Sequence, residues 1–278
     1  MIKKKTKKPA KKSSKAKKTK KELLAEQSVI HAVDVNELEK QLPPKAKRSH
    51  HVVIKLEKVN KSFHTGVTKA HVLKDIDLNF YSGEFVIISG PSGSGKSTLL
   101  HTILGLEKPS SGDVFIRDEN IYKDMNHDER AIYRREKIGM VFQQSNWIKS
   151  LNVLDNISYP LWLAGFTQEG AKQRATEALA EVGLEKWAKY HPNELSGGQQ
   201  QRISLARALS TDPGIIIADE PTGNLDTKSS SAMMTLLAKL NREQRRMIVM
   251  VTHDVFLLPL ATRRVVIQDG AIVQDEHD

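Results

Sequence analysis

Alternation of apolar and polar residues sets in near residue 51. His51-Val52-Val53-Ile54-Lys55-Leu56-Glu57-Lys58-Val59 partly alternates, and Val72-Leu73-Lys74-Asp75-Ile76-Asp77-Leu78-Asn79-Phe80 does so again, as half-exposed strands do. Tyr81-Ser82-Gly83 turns the second strand into a different kind of run, Glu84-Phe85-Val86-Ile87-Ile88-Ser89, which is continuously apolar and rich in β-branched residues. Similar runs recur at 138–142, 215–218 and 248–252, with a further strand at 112–116. Continuous runs of this kind belong to strands buried on both faces, as in a parallel sheet flanked by helices. Residues 98–104 and the polar stretch 127–136 read as helices. From 145 to about 194 strand alternation disappears, and 153–164, 167–183 and a short piece around Trp187 read as an inserted helical lobe. The expected fold class is therefore α/β. It has a mainly parallel sheet, a small antiparallel β unit ahead of it and an α-helical insertion.

Between the strand at 84–89 and the helix at 98–104 lies Gly90-Pro91-Ser92-Gly93-Ser94-Gly95-Lys96-Ser97-Thr98. Strand, glycine loop and helix in that order are the context of a phosphate-binding loop. Glycines let backbone amides turn inward around an anion, and the helix N-terminus adds partial positive charge. Lys96 would reach the β- and γ-phosphates of a nucleotide, and Ser97 would ligate Mg²⁺. Three more constellations follow. Leu195-Ser196-Gly197-Gly198-Gln199-Gln200-Gln201-Arg202 opens a helix with Ser196 as its N-cap, and its glycine pair permits close approach to a phosphate. Ile215-Ile216-Ile217-Ala218-Asp219-Glu220 ends in two acids, the expected Mg²⁺-water ligand and a candidate base for attacking water. His253 follows the strand at 248–252, at the carboxyl end where ligands of such sheets bind. Gln143 ends the strand at 138–142. Phe63, placed between the first two strands, serves either as an adenine-stacking ring or as a hydrophobic plug.

Charge changes the picture only at the beginning of the chain. Residues 1–48 carry 16 of the 43 Lys and Arg and 5 of the 33 Asp and Glu, a net of +11, whereas the remainder nets −1. The Lys-dominated run from 3 to 21 repels itself and lacks apolar residues, so disorder is expected there. Such a run attracts anionic lipid at about 1 kcal/mol per residue, binds nucleic acid, or simply remains solvated. Leu23, Leu24, Ile30, Val33, Leu38 and Leu42 form a loose apolar stripe, Asp34-Val35-Asn36-Glu37 resembles a capping box, and Pro43-Pro44 stops any helix. A short helix within 22–42 would either dock a partner or fold back on its own domain. The chain has no cysteine, which excludes disulfides and thiolate chemistry. No apolar run is long enough to span a bilayer, and no secretory or transit signal is evident, so a cytoplasmic protein is expected.

The phosphate loop, Gln143, the Leu-Ser-Gly-Gly-Gln segment, the acid-ended strand, Asp226 and His253 occur in the order found in ATP-binding-cassette (ABC) ATPases. The resemblance covers about residues 52–277 and makes the domain a P-loop NTPase. It implies two copies paired head to tail with two ATP and Mg²⁺ between them. Gly90 to Thr98 would hold the phosphates of ATP, Phe63 would stack on adenine, and Ser97, Gln143 and Asp219 would attend the metal. Glu220 would be the catalytic carboxylate and His253 a γ-phosphate contact. Ser196, Gly197, Gly198 and Gln199 would complete the site of the opposite copy, with Asp226 reaching across. Gly139-Met140-Val141-Phe142-Gln143-Gln144-Ser145-Asn146, Asn156-Ile157-Ser158-Tyr159-Pro160-Leu161 and Ala218-Asp219-Glu220-Pro221-Thr222-Gly223-Asn224-Leu225-Asp226 resemble the lipoprotein-releasing, macrolide-export and cell-division branch. Members of that branch are subunits peripheral on the inner face of the membrane, serving a separate integral membrane permease. Trp147, Ile148 and Leu151 are the apolar candidates for docking it, with packing inside the lobe as the alternative. Asp269-Gly270 is a hairpin signal, and no carboxyl-terminal regulatory domain is expected after it. The Lys-rich extension departs from that branch, so no particular cargo is carried over. A soluble ATPase acting on nucleic acid or ribosomes is the other class. It fits less well, because the stretch between Lys96 and Ser196 holds neither a sustained heptad run nor a cysteine.

Overall fold

The computed structural model describes residues 33–45, 49–65 and 68–278, so the Lys-rich run and the apolar positions Leu23, Leu24 and Ile30 lie outside the described residues. The chain opens with helix α1 (Val35–Gln41), a long hairpin of β1 (Val52–Thr65) and β2 (Thr68–Tyr81), then β3 (Phe85–Ser89) and α2 (Lys96–Ile103). β4 (Ser111–Ile116), β5 (Glu119–Asn120), α3 (His127–Lys137) and β6 (Ile138–Val141) follow, and α4 (Val153–Leu163) and α5 (Gln168–Glu181) come next. The last third comprises α6 (Gly197–Leu209), β7 (Ile215–Asp219), α7 (Thr227–Gln244), β8 (Met247–Val251), β9 (Arg263–Gln268) and β10 (Ala271–His277).

Two sheets form, one antiparallel in the order β2-β1-β4-β5 and one of six strands in the order β10-β9-β3-β8-β7-β6. In the larger sheet β9, β3, β8, β7 and β6 run parallel, and β10 closes the edge antiparallel. Side-chain alternation divides its residues between two cores. Phe85, Ile87, Ile216, Ala218, Ile248 and Met250 join the helices α4 to α7 on one face. Val86, Ile88, Ile215, Ile217, Met247, Val249 and Val251 join the antiparallel sheet and the apolar side of α2 on the other. Every residue of β3 and β8 is buried, which is why those strands read as unbroken apolar runs. The Asp269-Gly270 turn has both residues at positive φ (50° and 84°), the geometry of a two-residue hairpin loop, and it joins β9 to β10.

One sequence expectation needs revision. Phe63 lies within β1, paired with Ala70, and not in a connection, because the first hairpin extends well past the alternating stretch. The first helix of the insertion begins at Val153, where the sequence placed it, capped by Asn152 through Asp155 N at 2.8 Å.

The fate of α1 is decided by packing. Asp34 caps it through Glu37 N at 3.1 Å, and Val33, Val35 and Leu38 enter the helical-face core. Arg242 of α7, its side chain 2% exposed, donates two bonds to the Glu39 carboxylate at 2.6 and 2.9 Å and a third to the Pro43 carbonyl at 2.7 Å. Lys45 donates to the carbonyls of Pro259 and Ala261 at 2.6 and 2.7 Å and pairs with Asp278. The segment thus folds back on its own domain. Glu39→Ala leaves the Arg242 guanidinium buried without its carboxylate. We expect a loss of about 3 kcal/mol in urea unfolding, the low end for a broken buried pair because Glu39 remains one-third exposed, and most of it recovered in Glu39→Ala/Arg242→Met.

Candidate functional site

The phosphate loop leaves β3 at Ser89 and turns through Gly90, Gly93 and Gly95, all at positive φ (147°, 79° and 104°). Two of these glycines also lie against neighbouring backbone. A Cβ at Gly90 would stand 2.0 Å from the Ile267 carbonyl oxygen of β9, and one at Gly95 would stand 2.6 Å from that of Val72 in β2. Gly95 caps α2 and brings no side chain to it, so the first-turn amides face outward as an anion site requires. The buried Lys96 ammonium folds over the loop and donates to the Gly90 and Pro91 carbonyls, each at 2.9 Å.

Across this loop stand the ends of β7 and β8. Glu220 takes a left-handed conformation (φ 46°), an uncommon one for a side chain of its size, held by its amide on the Val251 carbonyl at 2.9 Å. Its carboxylate oxygens both lie 2.9 Å from His253 Nδ1, and Thr252 Oγ1 donates to one of them at 3.3 Å. Asp219, one residue earlier, points the other way. Burial first, and the neighbouring Glu220 charge second, push its pKa up, against His101, Lys96 and a Ser97 hydroxyl that pull it down. Its Oδ1 is buried with no hydrogen-bond partner. An orphaned carboxylate oxygen beside a serine hydroxyl suits a hard divalent cation. Among the described residues no cluster of three His, Cys, Asp or Glu stands ready to hold a metal alone. That also suits Mg²⁺, which takes few protein ligands and completes its shell with phosphate oxygens and water.

Ser92, Gly93, Gly95, Lys96, Ser97, Thr98, Glu220 and His253 therefore line one cleft of about 370 Å³. Other expected site residues stand elsewhere. Gln143 and Gly197 line a separate cleft of about 710 Å³ with Trp147, Gln200 and Leu225. Phe63 is exposed on β1, with the Lys61 ammonium 4.8 Å from its ring centroid, and Val72 is the residue of that hairpin lining the phosphate cleft.

Ser196 caps α6 in a reciprocal box: Gln199 N donates to Ser196 Oγ at 3.3 Å, and Ser196 N donates to Gln199 Oε1 at 2.8 Å. At Gly198 a Cβ would stand 2.3 Å from Ser229 Oγ, so this glycine admits α7 as well as any phosphate. Ser229 in turn donates its amide and hydroxyl to Asp226 at 2.9 and 2.8 Å, and those bonds hold the Asp226 carboxyl below its ordinary pKa. Sequence reasoning missed Ser229 and Thr252. The Asp-x-x-Ser spacing at the start of α7 was a legible N-cap signal; Thr252 carried none. Trp147 is half-buried, with its indole N–H donating to Gln200 Oε1 at 3.1 Å, whereas Ile148 is exposed.

A glycine loop between a buried parallel strand and a helix, faced by two acids at the end of β7 and a histidine just past β8, defines a P-loop nucleotide-binding domain. Residues 73–223 match the family model described as ABC transporter. The chain is 45% identical over 228 residues to the ABC transporter ATP-binding protein MJ0796 of Methanocaldococcus jannaschii, covering 81% of this chain and 97% of that one. A solved dimeric, post-hydrolysis structure of the MJ0796 cassette bound to ADP and Pi superposes with a TM-score of 0.74 at 43% identity, covering 81% of this chain and 98% of that one. The lipoprotein-releasing system ATP-binding protein LolD of Hyphomonas neptunium is 40% identical over 221 residues, 80% of this chain and 96% of the relative. MacB of Pectobacterium atrosepticum, a macrolide export ATP-binding/permease protein, is 42% identical over 225 residues, 81% of this chain but 34% of that longer one. The chain belongs to the ABC transporter ATP-binding family, and it is an ATPase.

Gly90→Ala sets a Cβ against fixed backbone, so ATP affinity in a fluorescence titration should fall at least about tenfold, about 1.4 kcal/mol. Gly93→Ala meets nothing within 4 Å and bears only the left-handed strain of about 1–2 kcal/mol, so its folding stability should drop by no more than that.

Proposed function

We propose that this chain is the energising subunit of a membrane transport or mechanotransmission complex, in which two copies close head to tail on two ATP and drive a separate transmembrane partner. The observation that carries this reading is the division of the site. Lys96, Ser97, Glu220 and His253 share one cleft, while the capped start of α6 lines another. Each chain then brings one half-site to each ATP. The dimeric MJ0796 cassette bound to ADP and Pi supports the pairing. No helix among the described residues is long and apolar enough to cross a membrane.

In this reading the amides of Gly90 to Thr98 and the Lys96 ammonium bind the β- and γ-phosphates, and Phe63 stacks on adenine. Ser97 and Asp219, joined by Gln143 from the second cleft, would hold Mg²⁺, which would neutralise charge on the phosphate oxygens. Glu220 aligns the attacking water and accepts its proton, and His253 and Thr252 keep that carboxylate in place. His253 has its other ring nitrogen for the γ-phosphate. Ser196, Gly197, Gly198 and Gln199 close over the partner's ATP, and Asp226 orders the adjoining turn across the interface. A permease docks at Ile148 and Leu151, beside Trp147. The subunit sits peripherally on the cytoplasmic face, and the Lys-rich run supplies an anionic-lipid contact.

Glu220→Gln should bind ATP normally, lose at least about 10²-fold in turnover, and accumulate as a dimer at saturating ATP in a mass measurement. Normal turnover removes Glu220 from the role, and a monomer removes the pairing. Copurification from detergent-solubilised membranes should recover an integral membrane subunit. Ile148→Glu with Lys149→Glu should abolish that recovery while sparing nucleotide binding. Recovery of RNA or ribosomes instead would overturn the assignment.

A further inference from the structure

Gln143 stands at the head of a loop that one helix grips from the side. Gln201 Nε2 of α6 donates to the Phe142 carbonyl at 2.8 Å, immediately before the glutamine, and Ser145 Oγ donates back to Gln201 Oε1 at 3.3 Å. One turn and a half further along α6, Arg207 donates to the carbonyls of Ser145 and, at 3.4 Å, Asn146. Its guanidinium carbon lies 4.6 Å from the Trp147 ring centroid, and the indole N–H is held by Gln200 at 3.1 Å. The far end of the loop is fastened separately. Asn156, almost fully buried, accepts from Ile148 N at 3.0 Å and donates to the carbonyls of Ile148, Leu151 and Asn152 at 2.9–3.1 Å.

This grip depends on how closely α6 lies on the sheet. A Cβ at Gly139 of β6 would stand 2.6 Å from the Ala208 carbonyl oxygen, so the helix body rests on the strand that delivers Gln143. Burial has stripped Arg207 of much of its water, which strengthens its hold on two backbone carbonyls.

We propose that Arg207 and Gln201 are positioning residues for Gln143: α6 fixes the backbone on both sides of the glutamine and sets where its carboxamide stands at the metal and γ-phosphate. The inference rests on the role given to Gln143 above. It has a mechanical consequence. The same helix begins at Ser196, the cap that serves the partner's ATP, so any rotation of α6 toward the partner carries Gln143 of its own chain with it. One rigid element then links the two sites of the dimer.

The test is a pair of double-mutant cycles read in kcat, KM for ATP and Tm. Arg207→Lys keeps the charge but loses the planar fork and the stack on Trp147. We expect kcat to fall about 10- to 100-fold with KM within about twofold, as for a misplaced group rather than lost binding. Gln143→Ala should show a similar loss, and the double variant should be no slower than the worse single variant. Gln201→Met, which removes the bond to Phe142 without disturbing Arg207, should behave alike and serves if Arg207→Lys does not fold. Losses that multiply in the double variants, or wild-type turnover by both Arg207→Lys and Gln201→Met, overturn the positioning role while leaving that of Gln143 intact. Wild-type turnover by Gln143→Ala would instead remove the glutamine from the reaction and the brace with it.

Discussion

Backbone clearance at the phosphate loop governs the architecture around it. Gly90 lies against the Ile267 carbonyl of β9 and Gly95 against the Val72 carbonyl of β2, so the loop is wedged between both sheets with no room for a side chain at either point. That wedge orients α2, placing its N-terminus and Lys96 at the carboxyl ends of the parallel strands. Those strand ends are where Asp219, Glu220 and His253 emerge. In the proposed reading, charge on an incoming phosphate would meet a helix terminus and an ammonium already held in position.

The two consecutive acids illustrate how a strand end divides labour. Asp219 remains in the strand register and faces Ser97 and Lys96, with one oxygen buried and unpartnered. Glu220 leaves the register through a left-handed backbone and meets His253 and Thr252. Burial, with the neighbouring Glu220 charge second, raises the Asp219 pKa, and a divalent cation held there would lower it.

Elsewhere the domain is held by contacts between residues far apart in the chain. Arg242 and Glu39 are separated by 203 residues, and their forked pair fastens α1 to α7. Arg207 reaches 62 residues back to Ser145, and Gln201 reaches 59 to Phe142. Each partner is an ordinary polar residue in its own local context. Glu39 sits in a short polar helix, Arg207 in a run of helix formers, and Gln201 in a row of three glutamines. Nothing in local spacing marks them, because their role arises only when the sheet and helices have stacked.

The strands buried on both faces, the helices between them and the order of the phosphate loop, capped helix, paired acids and histidine were all legible in the linear pattern. Period, capping and glycine placement are local properties, set within a few residues by backbone sterics and side-chain alternation. Tertiary structure alone decided that Phe63 belongs to a strand, that α1 folds back on its own domain, and that Gly198 makes room for Ser229. It also decided that Trp147 leans on α6, and that the expected site residues divide between two clefts. Those outcomes depend on which surfaces meet after the chain has closed long loops, and closure is determined by the summed burial of the two cores rather than by any one segment.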